Sequence, residues 1–354
     1  MQASAASLGA MPPNAPPSGG NLFHLISAPL EQVERAMHEA LASESELMAA
    51  MGQHVLGSGG KRMRPALVLL AAELCGYTGA RRIQIAAAVE LLHTATLLHD
   101  DVVDLSSMRR GRPSANAVWG NRRAVLAGDF LYARSSSMIV EDGNLEILWI
   151  FSDTIRQMAE GELLQLARSF DPSVTESHYY RVIDRKSASL LAAACEAGAI
   201  LGGVTRAERR RLAEFGREFG VAFQLRDDAL DYEALATELG KLPYTDLREG
   251  KVTLPLLLTL KRCTPAEREE IASVLKRTAR HIEGALFGDD VVDDEPVDFA
   301  PVIEHVRRYR GIEDTVRRAQ EHVEKAAAAI DPFPAGPARQ ALVTAARFAV
   351  ARDR

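Results

Sequence analysis

The chain has 354 residues, 47% of them hydrophobic and 25% charged, an ordinary mixture that can bury a sizeable core. Its 42 basic and 48 acidic side chains leave a formal charge of −6, the wrong sign for the basic face of a nucleic-acid binder. Three scattered cysteines, Cys75, Cys195 and Cys263, exclude a disulfide framework and a zinc site, and no apolar run is long enough to predict a membrane span.

Residues 1–20 carry no charge and are rich in proline and glycine, which predicts a disordered leader. The leader lacks the basic and apolar regions of a secretory signal and the arginines of a transit peptide, so the protein reads as cytoplasmic. From residue 21 to 354 the pattern is that of one all-α domain. Leu30, Val33, Met37 and Leu41 recur at three- and four-residue steps among good helix formers. Long helices are predicted over Arg82–Asp104, Arg122–Val140, Leu145–Arg168, Glu176–Leu201 and Arg206–Tyr232, and a shorter one over Leu254–Lys261. Glycine and proline mark joints near residues 57–60, 76–79, 111–113, 202–203 and 284–296, and strands bounded by hairpin turns are absent. The predicted fold is a large antiparallel helical bundle with a central cavity.

Two acidic motifs of the form Asp-Asp-x-x-Asp carry chemistry. Asp100, Asp101 and Asp104 end one predicted helix, and Asp227, Asp228 and Asp231 lie late in another. Residues four apart share a helix face, so these carboxylates would repel one another unless a cation held them. Oxygen ligands with room for water and phosphate suit Mg²⁺ rather than zinc. A third copy, Asp289 to Asp293, lies in an acidic stretch spanning 284–300 and reads as an exposed loop without a role.

Basic groups flank the first motif. Gly59-Gly60-Lys61-Arg62-Met63-Arg64-Pro65 is a glycine-opened turn with three cations, Arg109-Arg110-Gly111-Arg112 follows Asp104, and His93 precedes Asp100 by two helical turns. Lys186 and Ser187 fall within a helix, and Lys241 and Lys251 lie beyond the second motif. Metal-binding carboxylates beside two separate basic clusters imply two polyphosphate ligands and Mg²⁺.

With GGKRMRP, HTATLLHDDVVD followed by RRG, FQLRDDALD, and GK with DLREGKVTLP, the chain from about residue 25 onward resembles the all-trans polyprenyl diphosphate synthases. RRGRPSANAVWGN, LAGDFLY and QMAEGELLQL are similar to the long-chain bacterial subgroup, the octaprenyl type that makes quinone side chains. The resemblance implies a Mg²⁺-dependent homodimer that condenses isopentenyl diphosphate with an allylic diphosphate, farnesyl or geranyl. It implies that Lys61, Arg64, His93 and Arg110 bind isopentenyl diphosphate. It places Mg²⁺ on Asp100, Asp101, Asp104, Asp227, Asp228 and Asp231, with Arg109, Lys186, Ser187, Gln224 and Lys241 completing the allylic site. Ser187 stands where the family has Thr, and Tyr244 stands where it has Gly, which implies a differently shaped loop from Lys241 to Asp246.

A terpene cyclase has no need for the second basic cluster, and a non-catalytic subunit commonly loses acidic residues that this chain keeps. A short-chain synthase is the remaining alternative. Against it, the positions five and four before Asp100, where the family resemblance places large aromatics in short-chain enzymes, hold the small Ala95 and Thr96. With about 5.4 Å per helical turn, a tunnel open past them implies a product of about eight isoprene units, within a range of about seven to ten.

Overall fold

The computed structural model describes residues 24–57, 59–233, 244–287 and 297–352. The expected leader, Lys241 and the third acidic motif lie outside these residues. Among them, the chain begins with α1 (Ser27–Ala40), α2 (Glu46–Leu56), α3 (Met63–Leu74) and α4 (Arg81–Val103). Then come α5 (Ala115–Trp119), α6 (Asn121–Asp142), α7 (Leu145–Leu166), α8 (Glu176–Ile183), α9 (Ser189–Leu201) and α10 (Arg206–Glu233). The C-terminal part holds α11 (Thr245–Arg248), α12 (Leu254–Arg262), α13 (Pro265–Phe287), α14 (Ala300–Arg308), α15 (Gly311–Ala329) and α16 (Pro337–Ala351).

Local chemistry sets many of these ends. The Ser45 hydroxyl accepts the Met48 N–H at 3.3 Å, the Asn144 side chain accepts the Glu146 and Ile147 N–H groups at 2.9 and 3.2 Å, and the Thr175 hydroxyl accepts that of His178 at 3.2 Å. Proline opens α12, α14 and α16, where its missing N–H is not needed.

The centre is built from helices that are apolar nearly all round. In α4 every residue from Ile85 to Leu92 is buried, and α9 is buried along almost its whole length. Helix α4 packs along α6 and α3, while α9 packs against α3, α7 and α10, and α10 is covered in turn by α15. The buried side chains form one contiguous cluster from Ile26 to Val350. No helix among the described residues is long and apolar enough to cross a membrane.

Three local expectations differ from what is seen. The helix expected over 176–201 is opened by a π-helical turn, Asp184–Ala188, between α8 and α9. A two-residue ribbon, Met108–Arg109 against Arg112–Pro113, stands where no strand was expected. Its turn places Arg110 at φ 51° and Gly111 at φ 75°, the mirror-image turn that matches ribbon twist, and two residues per strand are too few to show alternation. Finally, α13 runs through to Phe287 and α14 starts at Ala300, so the expected 284–300 loop is helical at both margins. Glycine at 284 lowers helix propensity by only about 1 kcal/mol, which α13 tolerates.

Candidate active site

Both acidic motifs lie toward the C-terminal ends of their helices. Asp104 caps α4, and Asp231 falls in the last turn of α10. Helix C-termini carry partial negative charge, so acidic side chains there cost about 0.3–1 kcal/mol each unless positive charge offsets them. The structure supplies that charge. Arg109 donates to Asp101 at 2.6 Å, Lys251 to Asp104 at 3.0 Å, and Arg352 to Asp227.

Two cavities adjoin at the end of α4, and Leu97 and Arg109 belong to the walls of both. The larger, about 220 Å³, is lined by Asp100, Asp104, Lys186, Ser187, Gln224, Asp228, Asp246 and Lys251, with Tyr179 and His178 on a further wall. The smaller, about 30 Å³, is lined by Arg62, Glu90, His93, Asp101, Arg110 and Arg112.

Lys186 and Ser187 reach the larger cavity from the π-helical turn, a distortion found often at functional sites. Helix α7 makes room for that turn through Gly161, where a Cβ would lie 2.8 Å from the Lys186 backbone nitrogen. Lys186 is paired with Glu162. Ser187 donates to the Gln224 oxygen at 2.6 Å, and the Gln224 amide donates to Asp228 at 2.7 Å. The Tyr179 hydroxyl donates to the other oxygen of Asp228. Burial pushes the Asp228 carboxyl up to about 7, against the pull of these donors and with the Asp227 and Asp231 charges adding to the rise. Burial also raises Asp100, with Glu162 and Asp104 contributing, and holds Asp246 well above the carboxylate range beside Asp231 and Asp228. Burial pulls the Lys251 ammonium down, but the Glu249, Asp104 and Asp246 carboxylates outweigh it and keep the group charged. These crowded, desolvated acids are what a cation site looks like in chemical terms.

The smaller cavity has the opposite sign. Arg62 bridges Glu34 and Glu90 from a left-handed backbone position, φ 46°, and Arg110 donates to the Gly59 carbonyl. Burial, followed by Arg64, Arg110, Arg109 and Arg62, drives the His93 pKa well down, so its ring is neutral.

Several expected site residues sit elsewhere. Asp101 faces the smaller cavity, not the larger. Asp227 and Asp231 line neither. Asp227 is held by Arg352, whose guanidinium also lies 4.1 Å from the centre of the Phe223 ring, and Asp231 accepts the N–H groups of Thr245 and Asp246 at 2.9 and 3.0 Å, anchoring the start of α11. Lys61 and Arg64 are not in the cavity walls, although the charges of Arg110 and Asp227 reach both. Ala95 is 1% exposed in the core and Thr96 gives its hydroxyl to the His93 carbonyl at 2.8 Å, and neither lines either cavity. Tyr244 adopts φ 62°, the region that glycine enters freely, which accounts for glycine at this place in the resembling family.

Sequence reading passed over Glu90, Tyr179, Asp246 and Arg352. Asp246 was within reach, since it stands in the same segment as Lys251. Tyr179 and Arg352 lie far in sequence from the carboxylates they touch and carry no motif of their own.

Residues 45–294 match the polyprenyl synthetase family. The chain belongs to this family. It is therefore a trans-prenyltransferase, of a family whose substrates are isopentenyl and allylic diphosphates. The synthase is 42% identical to octaprenyl diphosphate synthase of Escherichia coli over 331 residues, 93% of this chain and 98% of that one. It is 40% identical to an all-trans-nonaprenyl-diphosphate synthase of Rhodobacter capsulatus, described as geranyl-diphosphate specific, over 92% of this chain and 97% of the other. A crystal structure of polyprenyl synthase from Caulobacter crescentus, complexed with calcium and isoprenyl diphosphate, superposes with a TM-score of 0.88 at 39% identity, covering 97% of this chain and 100% of that one. The synthase thus has the helical fold of the isoprenoid synthases.

Proposed function

We propose that this synthase lengthens an allylic diphosphate, farnesyl or geranyl, with isopentenyl diphosphate to a long all-trans polyprenyl diphosphate of about eight units, acting in the cytoplasm as a Mg²⁺-dependent homodimer. The carrying observation is the pair of adjoining cavities of opposite character that share Arg109 and Leu97. The octaprenyl and nonaprenyl names of the two relatives support the long product.

The donor set fits a divalent cation shared with substrate. Among the described residues no three acidic or histidine groups converge into a closed metal cage. Mg²⁺ is ordinarily held by one or two carboxylates together with phosphate oxygens and water, which open pairs of aspartates can provide. Asp100, Asp104, Asp227 and Asp228 are the carboxylates that would hold it, together with Asp101 and Asp231, which in this structure are engaged by Arg109 and by the backbone of α11. When bound, the cation neutralises charge on the departing diphosphate.

Lys186, Arg109 and Lys251 put positive charge around the same leaving group, in a setting where burial strengthens it. Lys241 would join them from the segment before α11. Isopentenyl diphosphate is held on the smaller-cavity side by Arg110 and the neutral His93, with the cations of Lys61 and Arg64 adding to them, so that its double bond meets the allylic carbon as the C–O bond breaks. The leaving diphosphate takes the C2 proton and the trans double bond forms. No side-chain nucleophile takes part.

The second copy would cover α6 and α7. Leu126 and Val140 on α6 and Leu145, Trp149 and Leu163 on α7 are exposed, Leu145 at 78% and Trp149 at 68%. Residues 126 and 140, and likewise 149 and 163, are fourteen apart and so share a helix face. Incubation with farnesyl diphosphate, isopentenyl diphosphate and Mg²⁺ tests the whole reading. Products of seven to ten units are expected, and products that stop at three or four would overturn the long-chain assignment.

A further inference from the structure

Tyr179 sits on α8, 5% exposed, and its ring packs edge-on against Tyr180 with centroids 5.5 Å apart. Its hydroxyl donates to Oδ2 of Asp228, a residue 49 positions away. On the other side, Nε2 of Gln224 donates to Oδ1 at 2.7 Å. The Gln224 amide is itself oriented, because Ser187 gives its proton to Oε1 at 2.6 Å. Asp228 is therefore gripped from two helices and the π-helical turn, each oxygen taking one donor and keeping a lone pair. Asp227 next to it pairs with Arg352 but leaves its side chain 41% exposed, whereas Asp228 is 3% exposed, so the buried fixed point of the second acidic cluster is Asp228.

We propose that Tyr179 is a positioning residue, which holds the Asp228 carboxylate in one orientation for the cation that accompanies the allylic diphosphate. The proposal rests on the prenyltransferase reading above. Partners that orient a metal-holding side chain commonly change metal affinity or activity about 10–100-fold when removed.

Tyr179→Phe keeps the ring and its packing and removes only the hydroxyl. Binding of farnesyl thiolodiphosphate, a diphosphate analogue that does not ionise readily, is followed by calorimetry at graded Mg²⁺. The variant is expected to need about tenfold more Mg²⁺ for half-maximal binding. In turnover, kcat should fall by a similar factor while KM for isopentenyl diphosphate stays within about twofold, as the smaller cavity is untouched. Tyr180→Phe, the neighbouring hydroxyl, should leave the Mg²⁺ requirement unchanged. Because Tyr179 acts through Asp228, Tyr179→Phe should add nothing to Asp228→Asn in Mg²⁺-dependent binding. An unchanged Mg²⁺ requirement, additive losses, or an equal rise in KM for isopentenyl diphosphate would overturn the role of Tyr179. Failure of the unaltered enzyme to bind the analogue at any Mg²⁺ concentration would overturn the prenyltransferase reading instead.

Discussion

Asp100 and Asp228 line one cavity from the C-terminal parts of two helices, and Asp104 and Asp246 add to its acidic lining. Removing a carboxylate that serves the leaving diphosphate withdraws an interaction needed in the transition state. Asp100→Ala and Asp227→Ala are therefore expected to lower kcat by about 100-fold or more, read from steady-state condensation rates. Asp289→Ala combined with Asp293→Ala should leave the rate within a few-fold, and equal losses would show that the third motif had been misjudged. His93 presents a different case. Burial and the guanidinium groups of Arg64, Arg110, Arg109 and Arg62 push its pKa well down, with Glu90 and Asp101 the acidic groups in the same wall. A folded-state pKa below the unfolded one means that the unfolded chain takes up the proton first as pH falls. The stability linked to His93 is thus present above about pH 6.5 and lost below it. His93→Gln should flatten the fall in melting temperature between pH 7 and pH 5, and an unaltered slope would place the acid sensitivity elsewhere.

At the scale of elements, α4 carries the acids at its end and the expected chain-length positions one turn earlier. Ala95 is buried in the core on α4. A phenylalanine there should close the apolar path and shift products to about three or four units, since each helical turn spans about 5.4 Å. It should also lower the melting temperature, because overpacking a dense core commonly costs about 1–3 kcal/mol. Chain-length distribution by chromatography checks this, and undiminished long products from Ala95→Phe would send the tunnel elsewhere. The π-helical turn is the element whose form matters most for the allylic side. A regular helix over the same residues would rotate Lys186 and Ser187 relative to α8, which also carries Tyr179.

For the whole molecule, the exposed apolar side chains of α6 and α7 form the surface that a second copy would bury. Charge at its centre should prevent association with little effect inside one protomer, since Trp149 is 68% exposed. Trp149→Glu with Leu126→Glu is expected to give a monomer by light scattering at micromolar concentration, where a dimer mass is expected of the unaltered chain. A variant that keeps the dimer mass would exclude this face.

The helical periodicity of the long segments already determined the all-α fold, because apolar spacing at 3.6 residues is a local property. The bounds of α4, α6, α7, α10 and α12 all fall within two residues of those expected. The doubled acidic motif and the basic turns likewise marked the chemistry, since like charges crowded on one helix face are costly without a counter-ion. Tertiary structure alone decided how these groups are shared out. Asp101 turned to Arg109, Asp231 turned to the backbone of α11, and Arg352 reached Asp227 from the end of the described chain. It also opened the helix at Lys186, where α7 approaches through Gly161, and set Tyr179 against Asp228. Such contacts join residues from eight to more than a hundred positions apart. They arise from packing and desolvation, which local spacing does not encode.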